Sequence, residues 1–155
     1  MTRIVRAALI AVALYVAADL LDLGPFDEAG ATGRARVVRV IDGDTVHLRG
    51  VGRVRLIGVD TPERGRCFDD AATRFTQAQI GGRRVRYELG DEEKDRYGRT
   101  LAYLYADGEM HNLALVRRGY AETLTIPPND RFAKRFERAE RRARRAATGR
   151  WGACR

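Results

Sequence analysis

Four carboxylates sit in two short runs of this chain, with arginines close by. The first run is Ile41-Asp42-Gly43-Asp44-Thr45-Val46, and the second is Arg55-Leu56-Ile57-Gly58-Val59-Asp60-Thr61-Pro62-Glu63. A third, Asp95-Arg96-Tyr97-Gly98-Arg99, adds another acid and two more arginines. Carboxylate and carbonyl oxygens are the ligands hard divalent cations prefer. A glutamate left over can take a proton from water, and guanidinium groups fork onto phosphate. This is the inventory that metal-assisted cleavage of a phosphodiester needs.

Each motif has a plainer reading. Asp42-Gly43 is a common hairpin turn, but that leaves Asp44 unexplained at a strand start, where aspartate is disfavoured. The run is not an EF-hand loop, because the third liganding position falls on Val46 and no glutamate follows at the twelfth. Pro62 ends a strand, yet it also stiffens a corner that carries Asp60 and Glu63. Asp44 and Asp60, with the Thr61 carbonyl, can reach one Ca2+ and leave Glu63 as general base. Arg55 lies mid-strand, where an arginine faces either solvent or a polar site. Arg99, after Gly98, is either a turn arginine or a second phosphate ligand.

The elements that position these residues follow from periodicity. From Arg36 to Gly58 the chain alternates, with turns at Asp42-Gly43 and between Gly50 and Gly52, which predicts a three-stranded antiparallel meander. Val54, Leu56 and Gly58 fall on one face of its third strand, and Arg53, Arg55 and Ile57 on the other. A helix capped by Asp69 or Asp70 runs to about Ile80 and stops at Gly81-Gly82. Strands follow from Arg83 to Leu89 and from Thr100 to Tyr105. A short helix spans about Asn112 to Arg118, and a last one about Asp130 to Ala147. Phe132, Phe136, Ala139 and Ala143 form the apolar stripe of that last helix. Arg131, Arg135, Arg138, Arg142 and Arg145 share much of another face. Five strands with a helix between the third and fourth predict an α+β domain, an OB-type β-barrel with three helices.

The chain has 155 residues, enough for one domain with a core, and a formal net charge of +8. That charge points to an anionic partner, nucleic acid or an acidic membrane surface, or else to a solvated basic surface. The amino terminus adds a hydrophobic targeting segment over residues 1–24. Arg3 and Arg6 precede an uncharged run from Ala7 to Ala18, and Ala29-Gly30-Ala31 has the small-x-small form of a cleavage site. A cleaved signal peptide, an uncleaved signal-anchor attaching through residues 4–23, and a soluble amphipathic helix are the three readings. Residues 25–33 read as a linker and 34–155 as the folded domain. His47 and His111 read as surface or partly packed side chains rather than ligands. Cys67 and Cys154 are a disulfide in an oxidising compartment or two free thiols in a reducing one.

From about Arg36 to Trp151 the chain resembles the staphylococcal-nuclease-type, or thermonuclease, family. The matching stretches are IDGDTV at 41–46, RLIGVDTPE at 55–63, DRYGRTLAYLYADG at 95–108 and LVRRGYA at 115–121. The resemblance implies an OB-barrel nuclease that hydrolyses DNA and RNA with Ca2+ and little sequence preference, leaving 3′-phosphates. It implies Asp44, Asp60 and the Thr61 carbonyl as metal ligands and Glu63 as general base. It also implies Arg55 and Arg99 as stabilisers of the transition state, and Arg96 and Tyr97 as contacts to the nucleotide's terminal phosphate. The chain departs from the family's pattern in a shorter loop from Arg64 to Asp69 and in lacking a nucleotide-packing tyrosine near Thr125. A monomer, exported and either secreted or membrane-anchored, is expected. The alternative is an OB-fold module of the same family that binds nucleic acid without cutting it.

Overall fold

The computed structural model describes residues 31–154. The targeting segment expected over 1–24 and the expected attachment through residues 4–23 lie outside these residues. The expected linker overlaps the first strand, β1 (Thr32–Val40), which starts ahead of the predicted Arg36. In β1 alternation puts Ala35 and Val37 in the core and turns Arg34 and Arg36 outward. Val37 pairs with Leu48 and Arg39 with His47, so Val38 is the extra residue of a bulge that keeps Arg39 outside too.

β2 (Thr45–Leu48) and β3 (Gly52–Leu56) form the predicted hairpin, pairing Thr45 with Arg55 and His47 with Arg53. β4 (Gly58–Asp60) and α1 (Asp69–Ile80) follow. β5 (Arg84–Lys94) continues past the expected end at Leu89, and β6 (Thr100–Ala106) returns antiparallel to it. β6 also pairs parallel to β3, Val54 with Thr100 and Leu56 with Ala102. The order β3-β2-β1-β5-β6 thereby closes on itself as the five-stranded barrel. Val37, Val46, Leu48, Val54, Val85 and Leu104 fill its interior, none more than 1% exposed.

The remaining elements are β7 (Glu109–Met110), α2 (His111–Arg117), β8 (Glu122–Leu124), α3 (Ala133–Arg145) and a one-turn α4 (Arg150–Ala153). Several boundaries depart from expectation. α1 begins after Phe68, which takes the N-cap position with a left-handed φ of 77°, and neither Asp69 nor Asp70 caps it. Both acids fall instead in the first turn, where negative charge suits the helix dipole. Ile57, expected outside, is 5% exposed because the chain turns at Gly58, with φ of 79°. A Cβ at Gly58 would also lie 2.5 Å from the Phe136 ring, so only glycine allows this turn against α3. The turn frees β4 to pair with β8, Asp60 opposite Glu122, in a separate two-stranded sheet.

Cys67 and Cys154 form a disulfide, with Cα atoms 5.9 Å apart. It joins the end of the chain to the loop that follows the Asp60–Glu63 corner. A crosslink over so long a loop typically stabilises a domain by about 2–5 kcal/mol. Among the described residues no helix is long and apolar enough to cross a membrane.

Candidate active site

The turn between β1 and β2 is built to present Asp44. The Ile41 and Asp42 amides both donate to the Thr45 carbonyl, at 2.9 and 3.3 Å, and the Asp44 amide donates to Oδ1 of Asp42 at 3.1 Å. The Gly43 carbonyl in this turn accepts the Thr76 hydroxyl of α1 at 2.6 Å. Oγ1 of Thr76 also lies 3.1 Å from Nε2 of His111. The hydroxyl has one proton and gives it to Gly43, so it accepts from His111, which is therefore the Nε2–H tautomer. Burial pushes the His111 pKa down to about 4, keeping the ring neutral. α1 and α2 thus brace the turn through a chain of buried polar groups.

Asp44 is 5% exposed, and both of its carboxylate oxygens accept hydrogen bonds. Its Oδ2 accepts the Thr61 amide at 2.7 Å and the Thr61 hydroxyl at 2.9 Å. Its Oδ1 accepts the Thr45 hydroxyl at 3.2 Å and faces Nε of Arg55 at 3.1 Å. Arg55 also reaches Oδ1 of Asp60 at 2.8 Å. Its remaining nitrogen donates to the carbonyls of Leu56, at 2.9 Å, and Val59, at 2.7 Å. Those two bonds fix the guanidinium plane to the β3–β4 turn. One arginine therefore holds the two candidate metal ligands from opposite runs of sequence within a few ångströms of each other.

Arg99 enters the same cleft from the other side. Its Nε donates to Oδ2 of Asp95 at 2.6 Å, while Oδ1 of Asp95 accepts the amides of Arg99 and Tyr97 at 3.0 and 2.9 Å. Burial raises the Asp95 carboxyl, but the Arg99 and Tyr97 hydrogen bonds outweigh it and hold the group below its ordinary range. Asp44, Arg55, Asp60, Thr61, Glu63 and Arg99 all line one cleft of about 540 Å³. Glu63 is exposed at its edge, and among the described residues nothing hydrogen-bonds its carboxylate.

Arg96 and Tyr97 do not line that cleft. They line an adjoining groove of about 530 Å³ that shares Arg55 and Arg99 with it. Tyr97 is 66% exposed, and the Arg96 guanidinium donates to its hydroxyl at 2.6 Å. Leu124 and Ile126, on either side of Thr125, give the groove an aliphatic wall.

The electrostatics suit a cation. Burial raises the Asp60 pKa; the Arg55 charge opposes this, and the charges of Asp44, Glu63 and Glu122 add to the rise. Burial and the neighbouring Asp44 raise Asp42 in the same way. Carboxylates that crowd one another despite an arginine between them leave room for a further positive charge. Among the described residues no three His, Cys, Asp or Glu side chains form a ready metal cluster. The donor set that fits is therefore sparse, two carboxylates and a carbonyl, all of them hard oxygens.

Sequence reasoning missed the groups that hold this set in place. Asp42 buttresses Asp44, Asp95 orients Arg99, and Thr76 with His111 supports Gly43. The Asp95–Arg99 spacing was a usable signal, whereas nothing local links Thr76 to Gly43, 33 residues away. Asn112 is fully buried and gathers the Leu104 amide and the Ile57 and Ala102 carbonyls at 2.9 to 3.2 Å, tying α2 to the barrel beneath the site.

Comparison with known proteins accords with this geometry. The family described as Staphylococcal nuclease homologue matches residues 53–153. Thermonuclease of Staphylococcus intermedius is 40% identical, over 83% of this chain and 83% of that protein. Thermonuclease of Staphylococcus hyicus is 35% identical, over 96% of this chain and 94% of its own length. Endonuclease YhcR of Bacillus subtilis (strain 168) is 32% identical over 74% of this chain, which covers 11% of that longer protein. By the extent and level of these matches, the chain belongs to the staphylococcal nuclease homologue family.

Proposed function

We propose that this protein is a Ca2+-dependent nuclease that hydrolyses phosphodiester bonds of DNA and RNA with little sequence preference. The observation that carries this reading is the convergence of Asp44 and Asp60 on Arg55, with Glu63 and Arg99 opening onto the same cleft. Family membership and the thermonuclease and endonuclease relatives support a phosphodiester hydrolase. Asp44, Asp60 and the Thr61 carbonyl would hold Ca2+, which when bound polarises the phosphate and offsets its charge.

The chain's own residues do the rest. Glu63 accepts a proton from water as the water oxygen attacks phosphorus. Arg55 and Arg99 donate to the phosphate oxygens as negative charge builds on them. Their tethers, carbonyls for Arg55 and Asp95 for Arg99, aim both guanidiniums before substrate arrives. The bond from phosphorus to the leaving oxygen breaks, and that oxygen takes a proton from solvent. Arg96 and Tyr97 bind the substrate in the adjoining groove, away from the reacting phosphorus. The Cys67–Cys154 disulfide supports export, since such bonds persist in oxidising compartments.

Calcium titration tests the metal assignment. Asp44→Ala and Asp60→Ala should each raise the Ca2+ needed for half-maximal activity above that of the wild type, itself roughly 10⁻⁴–10⁻³ M for so sparse a site. Titration curves that overlay the wild type would remove both residues from the metal site. Tight DNA binding with no cleavage under any divalent ion would favour the non-catalytic module instead.

A further inference from the structure

Outside the cleft, arginines stand across the barrel surface in rows. On the outer face Arg39 pairs with His47 and His47 with Arg53, across three strands. Further up β1, Arg36 is opposite Arg84, and the Arg49 amide donates to the Arg36 carbonyl from the other side. Beyond them Arg34 is opposite Arg86, whose guanidinium lies 3.7 Å above the Tyr105 ring.

Like charges directly opposite one another destabilise a sheet, yet this face carries two such Arg–Arg pairs. Among the described residues Arg86 has a carboxylate partner, Glu88 at 3.3 Å, and Arg34, Arg36, Arg39, Arg49, Arg53 and Arg84 have none. Several arginines elsewhere are paired instead, as Arg83 is with Asp107, Arg117 with Glu109 and Arg150 with Glu122. A cavity of about 400 Å³ opens between Arg34, Arg84, Arg86 and Tyr105.

The rows lead to the cleft. Arg53 and Arg55 are two apart on β3 and so project from the same face, and Thr45, paired with Arg55, lies two beyond His47 on β2. The row at Arg39–His47–Arg53 is therefore the next rung after the catalytic arginine. Successive outward positions on a strand are about 6.7 Å apart, the scale of successive phosphates on an extended strand. The only large apolar side chain exposed on these strands is Val38, whereas a membrane-binding face needs an apolar surface to insert.

We propose that this arginine ladder is a phosphate-backbone track that binds the nucleic acid strand leaving the cleft, without reading its sequence. It gives long substrates an affinity that short ones lack. The proposal rests on the nuclease reading for its effect on turnover, but not for its effect on binding.

The test is the full chain with Arg34→Thr, Arg36→Thr and Arg84→Thr together. In chelator, where nothing is cut, the slope of log affinity for a long single-stranded DNA against log salt should fall by about 2. With Ca2+, KM for that DNA should rise about tenfold while hydrolysis of a dinucleotide stays at the wild-type rate. Lysine at the same three positions should keep the slope, because the charge and not the fold is at issue. An unchanged slope in the threonine variant, or one lost equally with lysine, would overturn the track. So would loss of binding to phosphatidylglycerol vesicles with DNA affinity intact, which would make the face a membrane surface. If the wild type cuts no DNA but the slope falls as expected, the nuclease reading fails and the track stands.

Discussion

The amide and hydroxyl of Thr61 both donate to Oδ2 of Asp44, at 2.7 and 2.9 Å. Seventeen residues separate the two in sequence. This pair joins the β1–β2 turn to the corner after β4, and both residues are 5% exposed. Thr61 therefore has a structural role beside that proposed for its carbonyl.

Thr61→Val separates the two roles, since it keeps the carbonyl and removes the hydroxyl. A hydrogen bond to a buried charged group contributes about 1.5–3 kcal/mol. Urea unfolding in chelator should show a loss of about that size, and the calcium requirement should rise because Asp44 is less firmly placed. Wild-type stability in Thr61→Val would mean that the hydroxyl bond contributes nothing.

Arg55 and Arg99 should resist conservative replacement. Arginines that stabilise phosphoryl transition states are worth on the order of 10³–10⁵ in rate. Arg55→Lys loses the fork that spans Asp44, Asp60 and two carbonyls, and Arg99→Lys loses the Nε bond to Asp95. Each should recover only part of the rate lost in the alanine variant. A double lysine variant that turns over at the wild-type rate would sink the argument from guanidinium geometry.

His111 links pH to stability. It titrates at 6.5 when unfolded and at about 4 when folded. As pH falls, the unfolded chain takes the proton first, so the contribution is complete above the unfolded value. It is lost progressively between pH 6.5 and about 4. The full loss is about 3 kcal/mol. His111→Gln can still donate to Thr76 and has nothing to titrate. Denaturant unfolding should show the wild type losing about 3 kcal/mol more than the variant over that range. Parallel pH profiles would show that His111 does not titrate as its burial requires.

What was legible in the sequence was what is local. The β1–β3 meander could be read because half-buried strands repeat every two residues and their turns carry glycine. The barrel followed from the order of the elements. Ile57 was misplaced because parity counting cannot see that Gly58 turns the chain. The β4–β8 pair was illegible, since three-residue strands have no period. The stripe of α3 was read well at Phe136, Ala139 and Ala143, but Glu140 is also buried there, held by the Thr123 amide and by Arg144. Arg131, expected on the helix's basic face, precedes the helix and pairs with Glu88. The candidate residues around the cleft could be chosen by type and spacing. That Arg96 and Tyr97 belong to a second groove could not, because it depends on how the β5–β6 turn folds over β3.

Glu63 lines the cleft, and among the described residues its carboxylate has no hydrogen-bond partner, which leaves it free for the proposed proton transfer. The direct measurement is single-turnover hydrolysis of end-labelled DNA by the wild type and by Glu63→Gln, each with Ca2+ and with chelator. The wild type should cleave rapidly with Ca2+ and not at all with chelator. Folded Glu63→Gln with Ca2+ should cleave about 10²–10⁴ more slowly. Cleavage by the wild type in chelator, or by Glu63→Gln at the wild-type rate, would contradict the proposed mechanism.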